Sequence, residues 1–256
     1  MKLINDRLEA VLALAATEPA HRPEFFQLLM ASSVLVPGKS EQTIIDANAT
    51  VDLQHWKKEN GESVIPFFTS EALMSQVMPD EQPYLIMPVR TLFALTQGAT
   101  LFLNPELPAG KEFPAREIAN LLGEEGNALT QLSVLEGNDS LLLSEVPAPP
   151  PQMVDSLTQL FAKHKQVRRA FVASIKESRD GPANLLIGIE ADHDVDTVIN
   201  AAGQVAADTL SDDELIDLCE VKEGEPGISH FFIAHITPFY ERRWGSFLRD
   251  IKVKMI

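Results

Sequence analysis

The sequence has a single cysteine, Cys219, no long apolar run and no excess of positive charge. One cysteine excludes an intramolecular disulfide and fits a reducing compartment. No apolar stretch approaches the roughly 20 residues that span a bilayer. The opening Met1-Lys2-Leu3-Ile4-Asn5-Asp6-Arg7 is too charged for a secretory signal, so the expected location is the cytoplasm. A formal charge of −16 repels phosphate backbones and anionic membrane surfaces, which removes nucleic acid and membranes from the expected partners. Glycine-rich nucleotide fingerprints are also missing. Pro37-Gly38-Lys39-Ser40 ends like a phosphate loop, but the glycine required five residues before Gly38 is Ser33. No cofactor is expected.

Metal and catalytic patterns fail in the same way. Asp192, Asp194 and Asp196 alternate like the start of a calcium loop, yet its sixth position is Thr197 and its twelfth is Gly203, where glycine and glutamate are needed. These aspartates read instead as the charged entry to a helix. His230 and His235 stand five residues apart, not the four that put two ligands on one helical face, so no metal site is expected. Glu124 and Glu125, followed by Gly126-Asn127, read as a solvated turn rather than paired catalytic carboxylates. Cys219 is the one nucleophile to weigh. It lies inside an apparent strand, where a cysteine is ordinarily a small core residue.

What the chain does have is length and punctuation. Its 256 residues, 45% of them apolar, suffice for two ordinary domains. Glu145-Val146-Pro147-Ala148-Pro149-Pro150-Pro151 places four prolines in five residues, a run that neither continues a helix nor sits in a central strand. The expected division is therefore 1–146 and 152–256, with 147–151 as a proline-rich seam. Each half reads as a small mixed sheet with packed helices, an α/β to α+β class.

In the first half, Leu8, Val11, Leu12 and Ala15 mark an amphipathic helix, and a second begins near Pro19 or Pro23. Val34-Leu35-Val36 reads as a strand ended by Pro37-Gly38. Asn60-Gly61 predicts a two-residue hairpin in which Glu59 faces Glu62 and Trp56 pairs with Ile65. Apolar residues then fall on both faces, as in a sheet covered on both sides, and Pro66 places its strand at an edge or an end. Further on, the pattern gives a helix to about Met78, a strand at Tyr84–Met87, a helix at Thr91–Thr96, a strand at Thr100–Leu103, a helix from Phe113-Pro114 to Gly123 and a strand at Ser140–Val146.

In the second half, Pro151–His164 reads as a helix, Ala170–Ile175 and Leu185–Ile189 as a hairpin, Val195–Leu210 as a helix and Leu215–Val221 as a strand. From Ile228 onwards the chain is expected to be helical, with helices on one face of the sheet. The last 16 residues carry five basic and two acidic side chains. Aromatics and arginines in this density resemble an interface, and Tyr240, Arg242, Arg243 and Trp244 are the interaction residues it offers.

Four runs carry a family resemblance: Ala16-Thr17-Glu18-Pro19-Ala20-His21-Arg22-Pro23, Val64-Ile65-Pro66-Phe67-Phe68-Thr69-Ser70, Asn184-Leu185-Leu186-Ile187-Gly188-Ile189-Glu190-Ala191-Asp192 and Pro238-Phe239-Tyr240-Glu241-Arg242-Arg243-Trp244-Gly245. In this order and on both sides of the proline run, they resemble the bacterial enhanced serine sensitivity (SseB) family. The resemblance implies an N-terminal and a C-terminal SseB-type domain and a link to serine or sulfur amino-acid metabolism. It supplies no catalytic residues. The expected function is a non-enzymatic cytosolic regulator or adaptor that binds a protein partner, such as an enzyme of that metabolism, or a small metabolite. The alternative is an accessory sulfur-transfer enzyme using Cys219.

Overall fold

A computed structural model of the chain describes residues 2–40, 49–58, 60–78, 82–123, 142–176, 181–210 and 215–242. The chain forms two compact units, Met1–Leu132 and Ser133–Ile256.

The first unit opens with α1 (Lys2–Ala15), a 3-10 turn at Pro19–His21 and α2 (Arg22–Met30). There follow β1 (Ser33–Lys39), β2 (Asp52–Leu53), β3 (Trp56–Lys57), β4 (Ser63–Phe67), α3 (Glu71–Val77), β5 (Tyr84–Pro88), α4 (Val89–Leu95), β6 (Thr100–Leu103), β7 (Lys111–Phe113) and α5 (Ala115–Leu122). Two sheets run β2-β1-β5 and β3-β4-β6-β7, and a bridge between Leu35 and Phe68 joins them. β4 and β6 are parallel; the other pairs in this unit are antiparallel.

Alternation along β4 explains how both faces are covered. Ile65 and Phe67 join the large core of α1, α2, α4 and α5, where Phe67, Phe93 and Phe113 meet ring to ring. On the other face Phe68 packs with Leu35 and with Met74 of α3.

Three expectations are corrected here. The Asn-Gly hairpin is one residue out of the expected register: Trp56 faces Val64, and Lys57 faces Ser63. The Gly61 N–H donates to Lys58 O, the Lys58 N–H donates to Glu62 O, and Gly61 has φ +85°, so Gly61 closes a three-residue loop at its left-handed position. The Asn60 side chain accepts from the Glu62 N–H, which holds that geometry. β1 runs on through Pro37-Gly38, because the Pro37 carbonyl still accepts from Gln54 and the Gly38 N–H donates to Pro83. Of the two places expected for Pro66, an edge strand or a strand end, it takes the second: β4 is an interior strand and ends one residue later, at Phe67. The Phe68 N–H donates to Leu35 on one side of β4, and by two-residue alternation the missing Pro66 donor falls on that side, between β3 and β1. Phe113 ends strand β7 before Pro114 opens α5.

The second unit contains β8 (Leu142–Glu145), α6 (Pro151–Lys163), β9 (Val167–Lys176), β10 (Asn184–Ala191), α7 (Val195–Ala207), β11 (Ile216–Glu220), α8 (Ile228–His235) and β12 (Tyr240–Glu241). Its mixed sheet runs β11-β10-β9, and β9 is bordered along one side by β12 and then β8. β10 and β11 are parallel, joined through α7.

β8 precedes the proline run and pairs with β9 beyond it, so the prolines link two elements of one unit, whereas the sequence placed the division there. The expectation of helices on one face is also corrected. Phe171, Ala173 and Leu186 point to the face that α8 covers with Phe232, while Tyr240 on the opposite face touches Phe161 of α6. Helix was expected throughout from Ile228, but it stops at His235 and the chain returns as β12, because the Phe239 and Arg242 N–H groups donate to Ala170 and Arg168 of β9. Residues 243–256, Glu59 and Glu124 to Asn127 lie outside the described residues.

Candidate functional site

The feature of the second unit that concentrates charge is a bulge in β9. Glu190 pairs with Arg169 and Ala191 with Val167, so Arg168 is an extra residue opposite one step of β10. A bulge re-aims the side chain it carries. Here it brings two consecutive arginines, which would point to opposite faces of a regular strand, onto one carboxylate. Glu190 is 3% exposed. The Arg169 Nε donates to its Oε2, and Arg168 Nη1 stands 3.2 Å from its Oε1. The hydrogen bond to Glu190 raises the Arg169 pKa above its ordinary value, against a smaller effect of burial, so the guanidinium stays charged.

Arg242 completes the cluster from β12. Its backbone N–H donates to the Arg168 carbonyl, and its Nη1 donates to the Lys165 carbonyl and, at 2.7 Å, to Asp192 Oδ2. Asp192 also lies 3.8 Å from Arg168 Nε, and Glu223 lies 4.0 Å from Arg168 Nη2. Arg168 and Asp192 are each 43% exposed at the side chain, so the outer part of the cluster meets solvent while Glu190 sits beneath it. Each guanidinium nitrogen of Arg168 lies within 4.0 Å of a carboxylate of its own chain, so what the half-exposed side chain offers a partner is a fixed, partly solvated charged surface.

Of the interaction residues expected from sequence, Arg242 is committed to this intramolecular cluster. Tyr240 donates its hydroxyl to the Phe161 carbonyl at 3.1 Å, its ring lies 5.5 Å from that of Phe161, and burial raises its pKa, so it anchors β12. Arg243 and Trp244 lie outside the described residues. Arg168, Arg169 and Glu190 were missed as a site. The adjacent arginines and the acidic end of the run Asn184–Asp192 were visible signals, but their meeting depends on the bulge. Asp194 has φ +51° and accepts from the Thr197 hydroxyl at 2.8 Å, consistent with its reading at a helix entry. Among the described residues no group of three or more metal-ligating side chains is placed to hold an ion.

Cys219 lies in β11 and packs with the core beneath α8. Burial, with a further contribution from Asp217, pushes its thiol from the ordinary 9.0 up to about 12. At pH 8 its thiolate fraction is then roughly a thousandfold below that of an ordinary thiol. Iodoacetamide should therefore leave Cys219 unmodified in the folded protein and label it promptly in denaturant, followed by intact mass. Equal rates in the two states would refute the buried, protonated thiol.

Next to the proline run is an open groove of about 420 Å³, lined by Ser144, Val146, Pro147, Ser174, Pro182 and Leu215 among others. Ser144 and Ser174 face each other across β8 and β9.

Comparison with known proteins bears on the whole chain. The model of the SseB protein N-terminal domain matches residues 8–120, and that of the SseB protein C-terminal domain matches residues 135–242. The chain belongs to the SseB family. Protein SseB of Escherichia coli (strain K12) and Protein SseB of Shigella flexneri are each 58% identical to it over 257 residues, covering all of both chains. The C-terminal SseB domain match begins before β8, in keeping with the pairing of β8 to β9. A crystal structure of the sex pheromone staph-cAM373 precursor is 14% identical and covers 79% of this chain and 82% of that one, at a TM-score of 0.18 that carries no fold relationship. Two of the four runs that resemble the SseB family, Asn184–Asp192 and Pro238–Gly245, supply Glu190, Asp192 and Arg242 to the bulge cluster. Among the described residues no helix is long and apolar enough to cross a membrane.

Proposed function

We propose that this SseB-family protein is a non-enzymatic, cytoplasmic regulator or adaptor of serine or sulfur amino-acid metabolism, acting by binding. What it binds is a protein, such as an enzyme of that metabolism, or a small metabolite. The observation that carries the reading is the bulge at Arg168, which fixes a half-exposed arginine over a buried glutamate where two family-like runs meet. Arginines held in this way are typical interface anchors. The sulfur-transfer alternative loses support from the raised thiol pKa of Cys219.

Arg168 separates binding from folding better than Arg242, whose guanidinium ties β12 to the loop after β10. Arg168→Gln should weaken capture of the partner from native lysate roughly thirtyfold in affinity, the equivalent of about 2 kcal/mol. The substitution also takes the charge from beside the buried Glu190 Oε1, so its melting temperature should fall by a few degrees, with Arg169 still pairing Glu190 and the protein still folded. Undiminished capture sinks the role of Arg168. Cys219→Ser should leave serine tolerance of the host unchanged; its loss in a folded variant would move the assignment to sulfur transfer.

A further inference from the structure

β5 borders its sheet, and only the side facing β1 is hydrogen-bonded. The bonds from the Gly38 N–H to Pro83 and from the Val89 N–H to Ser32 fix which residues face β1. In this register Leu85 and Met87 direct their N–H and C=O groups to β1. Tyr84 and Ile86 direct theirs outward, and among the described residues nothing bonds to them.

Free edges are normally protected by a charge, a bulge or a cover. From Gln82 to Pro88 there is no charged residue, in a chain with a formal charge of −16. Ile86 is 51% exposed and lies on the same face as Tyr84. Pro88, an outward-facing position, has no N–H to offer and so weakens the edge beyond Ile86, whereas Pro83 faces β1, where its carbonyl accepts from Gly38.

We propose that β5 pairs with β5 of a second copy of this chain, antiparallel about a two-fold axis through Leu85. The free groups are self-complementary in this arrangement. Tyr84 faces Ile86 of the second copy and Ile86 faces its Tyr84, so all the outward N–H and C=O groups of both residues exchange hydrogen bonds without any shift in register. Each facing pair sets an aromatic against a β-branched side chain, a favourable cross-strand combination. The missing outward N–H of Pro88 interrupts the ladder just past Ile86 in both copies, so the complete exchange is confined to Tyr84 and Ile86, which favours this short symmetric pairing over a longer foreign strand. The edge is also an uncharged strip along which two strongly acidic chains can touch without opposing like charges. The remaining repulsion between the two bodies is long-ranged and screened by salt, so added salt should strengthen the dimer.

Sedimentation equilibrium of the full chain over a concentration series, at low and moderate salt, tests the proposal. The expected result is a reversible dimer that tightens with salt and that Ile86→Lys weakens at least about tenfold, with an unchanged circular dichroism spectrum. The register has its own test. In the proposed pair Leu85 faces Leu85 at a non-hydrogen-bonded position, with Cα atoms about 4.5 Å apart, within disulfide reach. Leu85→Cys in a Cys219→Ser background should therefore oxidise to a covalent dimer. A chain monomeric at every concentration, a dimer indifferent to Ile86→Lys, or a dimer that Leu85→Cys fails to link would each overturn the proposal. So would a monomer whose β5 edge instead takes up a strand of another protein.

Discussion

Gly188→Ala should destabilise the second unit by about 1 kcal/mol net, although it adds one methyl group. A Cβ at position 188 would lie 2.7 Å from both Phe232 Cε2 and Val221 Cγ2, closer than real contacts allow. Phe232 is fully buried between α8 and the sheet and Val221 is 1% exposed, so neither has room to retreat. Overpacking a tight core typically costs about 1–3 kcal/mol, whereas alanine gains about 0.4–1 kcal/mol from a less flexible unfolded chain. The steric cost wins. Denaturant unfolding followed by circular dichroism should show the loss, and Phe232→Leu in the Gly188→Ala background should recover part of it, since neighbouring sites couple. An unchanged midpoint for Gly188→Ala would mean that α8 does not sit against β10 as described.

In the first unit the corresponding weak point is Asn104→Ala, expected to cost about 3 kcal/mol. Asn104 is 1% exposed with φ +48°, in the turn between β6 and β7. Its Oδ1 accepts from the buried Thr69 N–H at 3.1 Å and its Nδ2 donates to the Thr69 hydroxyl at 3.3 Å, while that hydroxyl donates to Glu9 of α1 at 2.6 Å. Alanine loses on two counts. It tolerates the left-handed backbone poorly, at about 1–2 kcal/mol, and it strands the Thr69 N–H away from water, at about 1–3 kcal/mol. Asn104→Gly removes only the first cost. The urea midpoints should therefore fall in the order asparagine, glycine, alanine. Glycine matching alanine would leave the backbone argument empty, and glycine matching asparagine would do the same for the hydrogen bond.

Much of this fold was legible because period and punctuation agreed with tertiary packing. α6 and α7 begin at Pro151 and Val195 as their apolar spacing and entry residues indicate, and β6 occupies Thr100–Leu103 as its alternation requires. The misreadings share one physical origin, partners distant in sequence. Trp56 was set against Ile65 because Asn-Gly permits a two-residue loop, but burial of Phe67 in one core and Phe68 in the other selects the register that a left-handed Gly61 allows. Tyr240 looked helical as part of the run from Ile228 onwards until β9 supplied acceptors for the backbone around it. The candidate site was legible only in fragments. Arg242 was singled out for its aromatic, basic surroundings and Asp192 for its alternation with other aspartates, and neither pattern could show that the Arg168 bulge joins them.

The position of β12 bears on how the protein is made. Synthesis releases the chain amino end first, and domains generally fold as units in that order. Among the described residues the last strand of the first unit ends at Phe113, so the sheets described there can assemble while later codons are still being read. The second sheet waits for Tyr240-Glu241, which follow almost everything else described in that unit. Until those two residues leave the ribosome, the flank of β9 beside Ala170 stays open, Phe161 lacks the Tyr240 ring and Asp192 lacks Arg242. A nascent chain stalled shortly before Tyr240 would carry a finished first unit and a second unit with a bare strand edge, ready for a protease or for another unfinished copy.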